Sequence, residues 1–555
     1  MKLNIRVTGA AGLWMNSTAD IIADVFAELW YSVIWDIEYQ SIIKGGINYF
    51  DINISDDQSM ALSKYVDILI ALDDKNLKAN LEDLRKGSII IANKKWTSKL
   101  INSGVDLTQY RILDIETTSK YDNTYLISLL AKLLSLPSEN IHGAIARIFK
   151  KKGDEVVAQN ISVFEDILAN YILPFVYHIH INKIWEVKKI SYWNKMIALW
   201  AIETGLGYYS AYPMTPSSTI LSEIIKSKKV PFLQAEDEIS VINSALGASF
   251  TGTRSMVGTS GGGFALMTEA LSFAVQAEIP ITAVLSQRAG PSTGTPTFHE
   301  QGDINFALNP TFWDFQHIVI VPSTLEDGYY AAGQALNLAE TYQSIVLVLI
   351  DKQFSDGKVT LGELKTPWVI SWKFFDTPPT DYKRYELTDD GISPMVQVGT
   401  MNGDFIATSY EHDEFWATTE DPLMKVKMTE KRFKKLENFF EKEGIRGYEV
   451  INWSAKKMIV TTSFITYTAR EFVKNNPEYG LIVIKFFKPL DLRLREELFW
   501  KEEVIFVEHN YTGQLENYIV KELGLAYIQN LKISHMRKYD LMPFYYEDFE
   551  EALLK

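Results

Sequence analysis

Residues 205–218 read Gly-Leu-Gly-Tyr-Tyr-Ser-Ala-Tyr-Pro-Met-Thr-Pro-Ser-Ser, which sets a hydroxyl between two prolines. Pro213 and Pro216 fix their own φ angles and push the residues before them, Tyr212 and Thr215, towards extended backbone. The Thr215 hydroxyl is therefore expected on a stiff turn. Ser217 and Ser218 come next, then Ile220, Leu221, Ile224 and Ile225 at helical spacing, so a hydroxyl is expected to cap that helix. Hydroxyls and free N–H groups at a helix start suit a small anion. In Gln234-Ala-Glu-Asp-Glu238, Glu236 stands just after a strand pattern; taken bare, the three acids are a helix N-terminus favoured by the macrodipole. Arg288 follows a strand pattern over 281–286, at the end where ligands bind in open α/β sheets. Its planar guanidinium can grip a carboxylate, or it can pair with Glu300 or Asp303. Thr259-Ser-Gly-Gly-Gly263 allows a ligand close to the backbone, or simply makes a tight turn.

Taken in order, these segments resemble a known family. Tyr212–Thr215, Gln234–Glu238, Gly247-Ala-Ser-Phe-Thr-Gly252, Thr259–Phe264, Gln287-Arg-Ala-Gly-Pro-Ser-Thr-Gly294 and Glu300–Asp303 are similar to the α part of the 2-oxoacid:ferredoxin oxidoreductases. The likeness continues through Gly391-Ile-Ser-Pro394, Glu411-His-Asp-Glu414, Lys431-Arg432 and Glu508–Gln514, covering roughly 190–555. Residues before about 180 look like that family's γ subunit fused in front, on a looser match.

The resemblance implies an enzyme that uses thiamine diphosphate and coenzyme A to decarboxylate a 2-oxoacid oxidatively and passes electrons to ferredoxin. One buried glutamate would hydrogen-bond the aminopyrimidine ring; Glu236 matches that role, with Glu238 as the weaker match. Thr215 and Arg288 would hold the carboxylate and carbonyl end of the substrate, in a pocket shaped by Ser292 and Thr293. Tyr212, Pro213, Ser260 and Gly261 would contact the cofactor. The chain has no Gly-Asp-Gly followed at family spacing by paired asparagines, so Mg²⁺ and the diphosphate are expected on a β subunit. With no cysteine, the chain cannot hold an iron–sulfur cluster through thiolates, so the [4Fe–4S] cluster is expected on that partner too. No metal site is expected in this chain. Gly262 (proline in relatives), Met395 (often arginine) and a thinned Gly9-Ala-Ala-Gly12 depart from the pattern and leave room for a changed substrate or acceptor, or for a non-catalytic subunit.

The elements that must position these residues read as α/β throughout. At 555 residues the chain is too long for one core, and about 150 residues per domain suggests three or four. Strand patterns at 3–10, 65–71 and 88–92 alternate with helical stretches, as do those at 232–235, 255–259, 281–286, 318–321 and 345–350, and then those at 458–462, 481–485 and 504–508. The expected architecture is three successive open α/β domains: a γ-like domain at 1–185, a pyrimidine-binding domain at 192–380, a connector at 381–450 and a C-terminal domain at 451–555. By the resemblance, the second and third are similar to the pyrimidine-binding and C-terminal domains of thiamine diphosphate enzymes. The connector is expected to carry one charged helix over 422–443, and Glu411–Glu414 a polar loop. A net charge of −15 argues against nucleic acid, and no apolar run is long enough for a membrane span, so a cytoplasmic protein is expected. His178 and His180, in an aromatic stretch, lack carboxylates at metal-ligand spacing.

Overall fold

The computed structural model describes residues 2–40, 45–57, 61–117, 121–175, 177, 189–312, 314–362 and 377–554; His178, His180 and Pro367 lie outside them. Its strands form three open sheets, each flanked by helices.

The central sheet positions the site. Its spatial order is Phe486–Lys488, Ile318–Ile320, Ile345–Asp351, Ile281–Gln287, Ser255–Thr259, Tyr208–Ala211 and Phe232–Gln234. All pair in parallel except Phe486–Lys488, which runs antiparallel at one edge. Ile281–Gln287 and Ile345–Asp351 are buried at every position, which is why Ile345–Ile350 reads as an unbroken apolar run and Ile281–Leu285 as one interrupted only by Thr282. Parallel strands joined by helices leave their carboxyl ends on one side of the sheet, and the loops carrying Thr215, Glu236, Ser260 and Arg288 all leave from that side.

The N-terminal sheet is ordered Arg111–Ile115, Leu84–Asn93, Val66–Ala71, Lys2–Thr8, Tyr49–Ser55, Ser32–Glu38, Lys358–Leu361 and Lys189–Tyr192. Two features depart from the β–α alternation expected there. Ser32–Glu38 and Tyr49–Ser55 form an antiparallel pair, and the last two strands come from either side, in sequence, of the central sheet's parallel strands. The pair escapes sequence reading because its buried positions include Asp36, Glu38, Asp51 and Asn53. Their charges are met across the fold: Arg6 donates Nε to Asp51 Oδ1 and Nη2 to Oδ2, both at 2.7 Å.

The third sheet is ordered Tyr448–Ile451, Tyr479–Ile484, Lys457–Thr461, Glu503–Glu508 and Lys532–Arg537, parallel apart from its first strand. It shares a core with the central sheet, where Met458, Ile482 and Val504 join Val257, Leu285 and Leu347. The charged helix expected over 422–443 is two helices, Pro422–Lys434 and Phe439–Glu443, because Asn438 turns into the left-handed region at φ 55°.

The connector is pinned rather than loose. Lys431 and Lys435 reach a buried Glu278 carboxylate at 2.6 and 2.7 Å, while Arg384 donates to the Glu278 carbonyl at 2.9 Å. These cations outweigh burial and hold the Glu278 carboxyl well below the usual range, while burial pulls Lys431 down to about 7. The expected polar loop at Glu411–Glu414 is an anchor instead. Glu411 pairs bidentately with Arg432, and the His412 ring is buried beside the Gln276 carbonyl at 3.2 Å. Among the described residues, no helix is long and apolar enough to cross a membrane.

Candidate active site

The Pro213–Pro216 turn leaves strand Tyr208–Ala211 and enters helix Ser218–Ser227. Ser217 occupies the N-cap position, but its hydroxyl does not cap the helix as expected. Its backbone is already helical, at φ −72° and ψ −16°, and Oγ donates back to the Met214 carbonyl at 2.9 Å. Tyr212 and Pro213 are exposed, and Thr215 is half-buried.

The acidic triplet separates into three environments. Asp237 is the N-cap of helix Glu238–Phe250 and accepts the Ser240 N–H at 2.7 Å. Glu236 lies exposed outside the helix, and the Ser240 hydroxyl, donating at 2.7 Å, holds its carboxyl below the usual range. Within this chain it therefore lacks the shielding that a pyrimidine ligand needs. Glu238 is the buried acid, at 6% exposure. It begins the inward stripe Glu238, Val241, Ile242, Ala245, Leu246, Ser249. That spacing is present in the sequence and is the signal that singles out Glu238.

Glu238 faces the glycine run. A Cβ on Gly263 would come within 2.5 Å of Glu238 Oε1 and 2.7 Å of Met214 Sδ, and closer still to Thr259 Oγ1. On Gly261 it would meet both carboxylate oxygens of Asp303 at 2.6 Å. Gly262 alone is free, with nothing nearer than Met214 Cε at 4.0 Å. Ser260 lies between strand and glycines, fully buried, with no hydrogen-bond partner for its Oγ. That orphan hydroxyl, the glycine cradle and the shielded Glu238 suit a flat heterocycle that can share a proton.

Arg288 reaches this cluster from the end of Ile281–Gln287. Its Nη1 donates to the Thr215 carbonyl at 2.7 Å, so the structure joins the two residues, through the backbone of Thr215. Among the described residues no carboxylate forms an ion pair with Arg288, Glu300 and Asp303 included. Glu300 accepts the Gly290 N–H at 2.9 Å. Burial, with the nearby Glu300 charge, lifts the Asp303 carboxyl to about 6 against the pull of Arg288. Met214 and Asp303, neither expected at the site, thus complete it. Ser292 and Thr293 are exposed on the loop beyond Arg288.

A parallel sheet offering a shielded carboxylate over a glycine cradle at its strand ends has the layout of a cofactor-binding α/β enzyme domain. Residues 200–432 match the pyruvate flavodoxin/ferredoxin oxidoreductase family of thiamine diphosphate-binding domains, and residues 4–169 match the pyruvate ferredoxin/flavodoxin oxidoreductase family. The 2-oxoacid:ferredoxin oxidoreductase subunit alpha of a Sulfolobus species is 28% identical over 100% of this chain and 97% of its own. The 2-oxoglutarate synthase subunit KorA of Methanocaldococcus jannaschii is 30% identical over 52% of this chain and 79% of its own. Among solved structures, the 2-oxoglutarate:ferredoxin oxidoreductase of Magnetococcus marinus, with 2-oxoglutarate, coenzyme A and succinyl-CoA bound, superposes with a TM-score of 0.89. It is 28% identical and covers 100% of this chain and 99% of that one. The chain belongs to the 2-oxoacid:ferredoxin oxidoreductase family, and its central unit is a thiamine diphosphate-binding domain.

Proposed function

We propose that this chain is the fused γα subunit of a 2-oxoacid:ferredoxin oxidoreductase and that Glu238 holds the aminopyrimidine of thiamine diphosphate. The observation that carries this is the burial of Glu238 against Gly263 and Thr259, beside the exposed Glu236. Thiamine diphosphate supplies the nucleophilic carbon and the electron sink that decarboxylation of a 2-oxoacid needs. The chain's own part is to hold and orient. Glu238 presents a carboxylate, shielded from water, to the ring nitrogen. Arg288, which forms no ion pair among the described residues, presents a planar fork to the substrate carboxylate, and its bond to Thr215 fixes that fork's direction. Ser260, Gly261, Tyr212 and Pro213 border the cofactor, and Ser292 and Thr293 the substrate.

Coenzyme A takes the acyl group and ferredoxin the electrons. The diphosphate, Mg²⁺ and the [4Fe–4S] cluster belong to a β subunit, a reading supported by the absence of cysteine here. Tyr212, Phe232, Leu233, Ile239 and Leu266 are exposed around Glu238, an apolar face that such a partner would cover. A non-catalytic subunit would have no use for a shielded acid over a glycine cradle.

The test compares Glu238→Gln with Glu236→Gln in the assembled enzyme. Glu238→Gln should slow exchange of the cofactor's C2 proton, and turnover with it, by about 100-fold or more, the scale of a lost acid–base group. Glu236→Gln should stay near wild type. Equal behaviour of the two variants would refute the assignment.

A further inference from the structure

Behind the site, between the N-terminal and central sheets, lies a buried group of charges. Asp36, Glu38 and His299 bring ligand atoms within 4.8 Å of one another, and each is 3–4% exposed. His299 Nε2 lies 3.1 Å from Asp36 Oδ2 and also contacts Glu38 Oε1. Lys352 Nζ stands 3.8 Å from Glu38 Oε1 and donates to the Ile37 carbonyl. Two cations therefore face two carboxylates, and Asp351, Asp356 and the neutral ring of His509 complete the surroundings. Burial alone would strip His299 of its proton, but Glu38 and Asp36 outweigh it.

This group grips the loop that begins at Arg288. Eleven positions separate Arg288 from His299, and the stretch between holds Ser292 and Thr293. Thr297 Oγ1 donates to the Tyr39 carbonyl at 2.5 Å, on the same side as Glu38. Just past His299, the Gln301 N–H donates to the His509 carbonyl at 2.7 Å. The far end of the loop is thus tied to strand Ser32–Glu38 of the N-terminal sheet, while its near end leaves the central sheet at Arg288.

We propose that His299, gripped by Asp36 and Glu38, is a positioning residue that fixes the substrate loop, so that the N-terminal unit sets the affinity of the site for its 2-oxoacid. The proposal rests on the reading of Arg288 as the substrate's carboxylate ligand. Protonated His299 and Lys352 already neutralise the two acids, so the group serves as an internal clamp without a metal ion.

The assembled enzyme with its partner subunit provides the test, with 2-oxoglutarate and pyruvate as substrates. His299→Gln should raise KM about tenfold, the scale of one lost charged hydrogen bond, with kcat within about threefold and thiamine diphosphate affinity unchanged. Thr297→Val, which removes only the hydroxyl bond to Tyr39, should raise KM in the same direction and carries the test if His299→Gln does not fold. Arg288→Lys should raise KM by itself, and combined with His299→Gln should raise it by less than the product of the single effects. If Arg288→Lys raises KM while His299→Gln and Thr297→Val leave it unchanged, the clamp is refuted and the substrate reading stands. If Arg288→Lys leaves KM unchanged, the substrate reading itself fails. Stoichiometric zinc or manganese in the purified enzyme, lost in His299→Gln, would overturn the clamp in favour of a metal site.

Discussion

Gly263 and its neighbour Gly262 make a sharp experiment, because one methyl group separates an obstructed position from an open one. In Gly263→Ala the new Cβ would lie 2.5 Å from Glu238 Oε1 and 2.7 Å from Met214 Sδ, and closer to Thr259 Oγ1. Met214 can swing aside, but Thr259 is fully buried in a central strand, so the glycine helix must shift away from it and Glu238 must yield in turn. Ordinary van der Waals separation requires its carboxylate to retreat by about 1 Å. A misplacement of that size in a reacting geometry costs on the order of 100-fold in rate, and the overpacking costs about 1–3 kcal/mol of stability. Gly262→Ala meets nothing within 4 Å except the tip of Met214, at 4.0 Å. It should retain activity within about twofold and, within a helix, gain roughly 0.5–1 kcal/mol. The assay is kcat of the assembled enzyme at saturating 2-oxoacid and thiamine diphosphate, with a thermal melt to confirm folding. A folded Gly263→Ala enzyme with wild-type kcat would refute the idea that the glycine exists to admit the Glu238 carboxylate.

Two further outcomes concern the buried charges. His299 is lifted to about 9 by Glu38 and Asp36, against its ordinary 6.5. Its contribution, about 3 kcal/mol at 1.36 kcal/mol per unit, is present in full below pH 6.5 and lost as pH rises through 9. Lys431, lowered to about 7 by burial, works in the opposite sense over pH 7 to 10.5, so the comparison is between wild type and His299→Gln melted side by side from pH 6 to 9.5. The melting temperature of wild type should fall more steeply than that of the variant; parallel curves would rule out a protonated His299. Glu278→Gln removes the carboxylate facing Lys431, Lys435 and Arg384 and should cost about 3–5 kcal/mol in a denaturant melt, since it strands buried cations. A loss under about 1 kcal/mol would show that those cations do not depend on the Glu278 carboxylate.

Much of this molecule is legible in its sequence where burial acts on whole strands. Ser255–Thr259, Ile281–Gln287 and Ile345–Asp351 are buried along their whole length, and their mainly small and apolar residues show it. Ser32–Glu38 is buried at five of its seven positions yet carries Asp36 and Glu38 among them, whose partner lies some 260 residues away at His299, so no local pattern announces it. At the site, Arg288 and the Thr215 turn stand out because their neighbours are rigid. The choice between Glu236 and Glu238 turns on a helix start fixed by Asp237, two positions later than the strand pattern suggests. Met214 and Asp303 carry no signal of their own; they matter only because glycines in another loop leave room for them.

Lys358–Leu361, laid beside Ser32–Glu38, and Lys189–Tyr192, paired on its outer side, make the N-terminal unit depend on residues outside its own stretch of sequence. A polypeptide divided between residues 177 and 189 would turn that internal ladder into a contact between two molecules, held by main-chain hydrogen bonds that almost any sequence can make. The first piece alone would present Ser32–Glu38 as a bare edge, ready to pair with any extended chain it met. Keeping both pieces on one chain supplies the pairing strand at a fixed local concentration, so the edge is closed by its own sequence before a stranger can reach it.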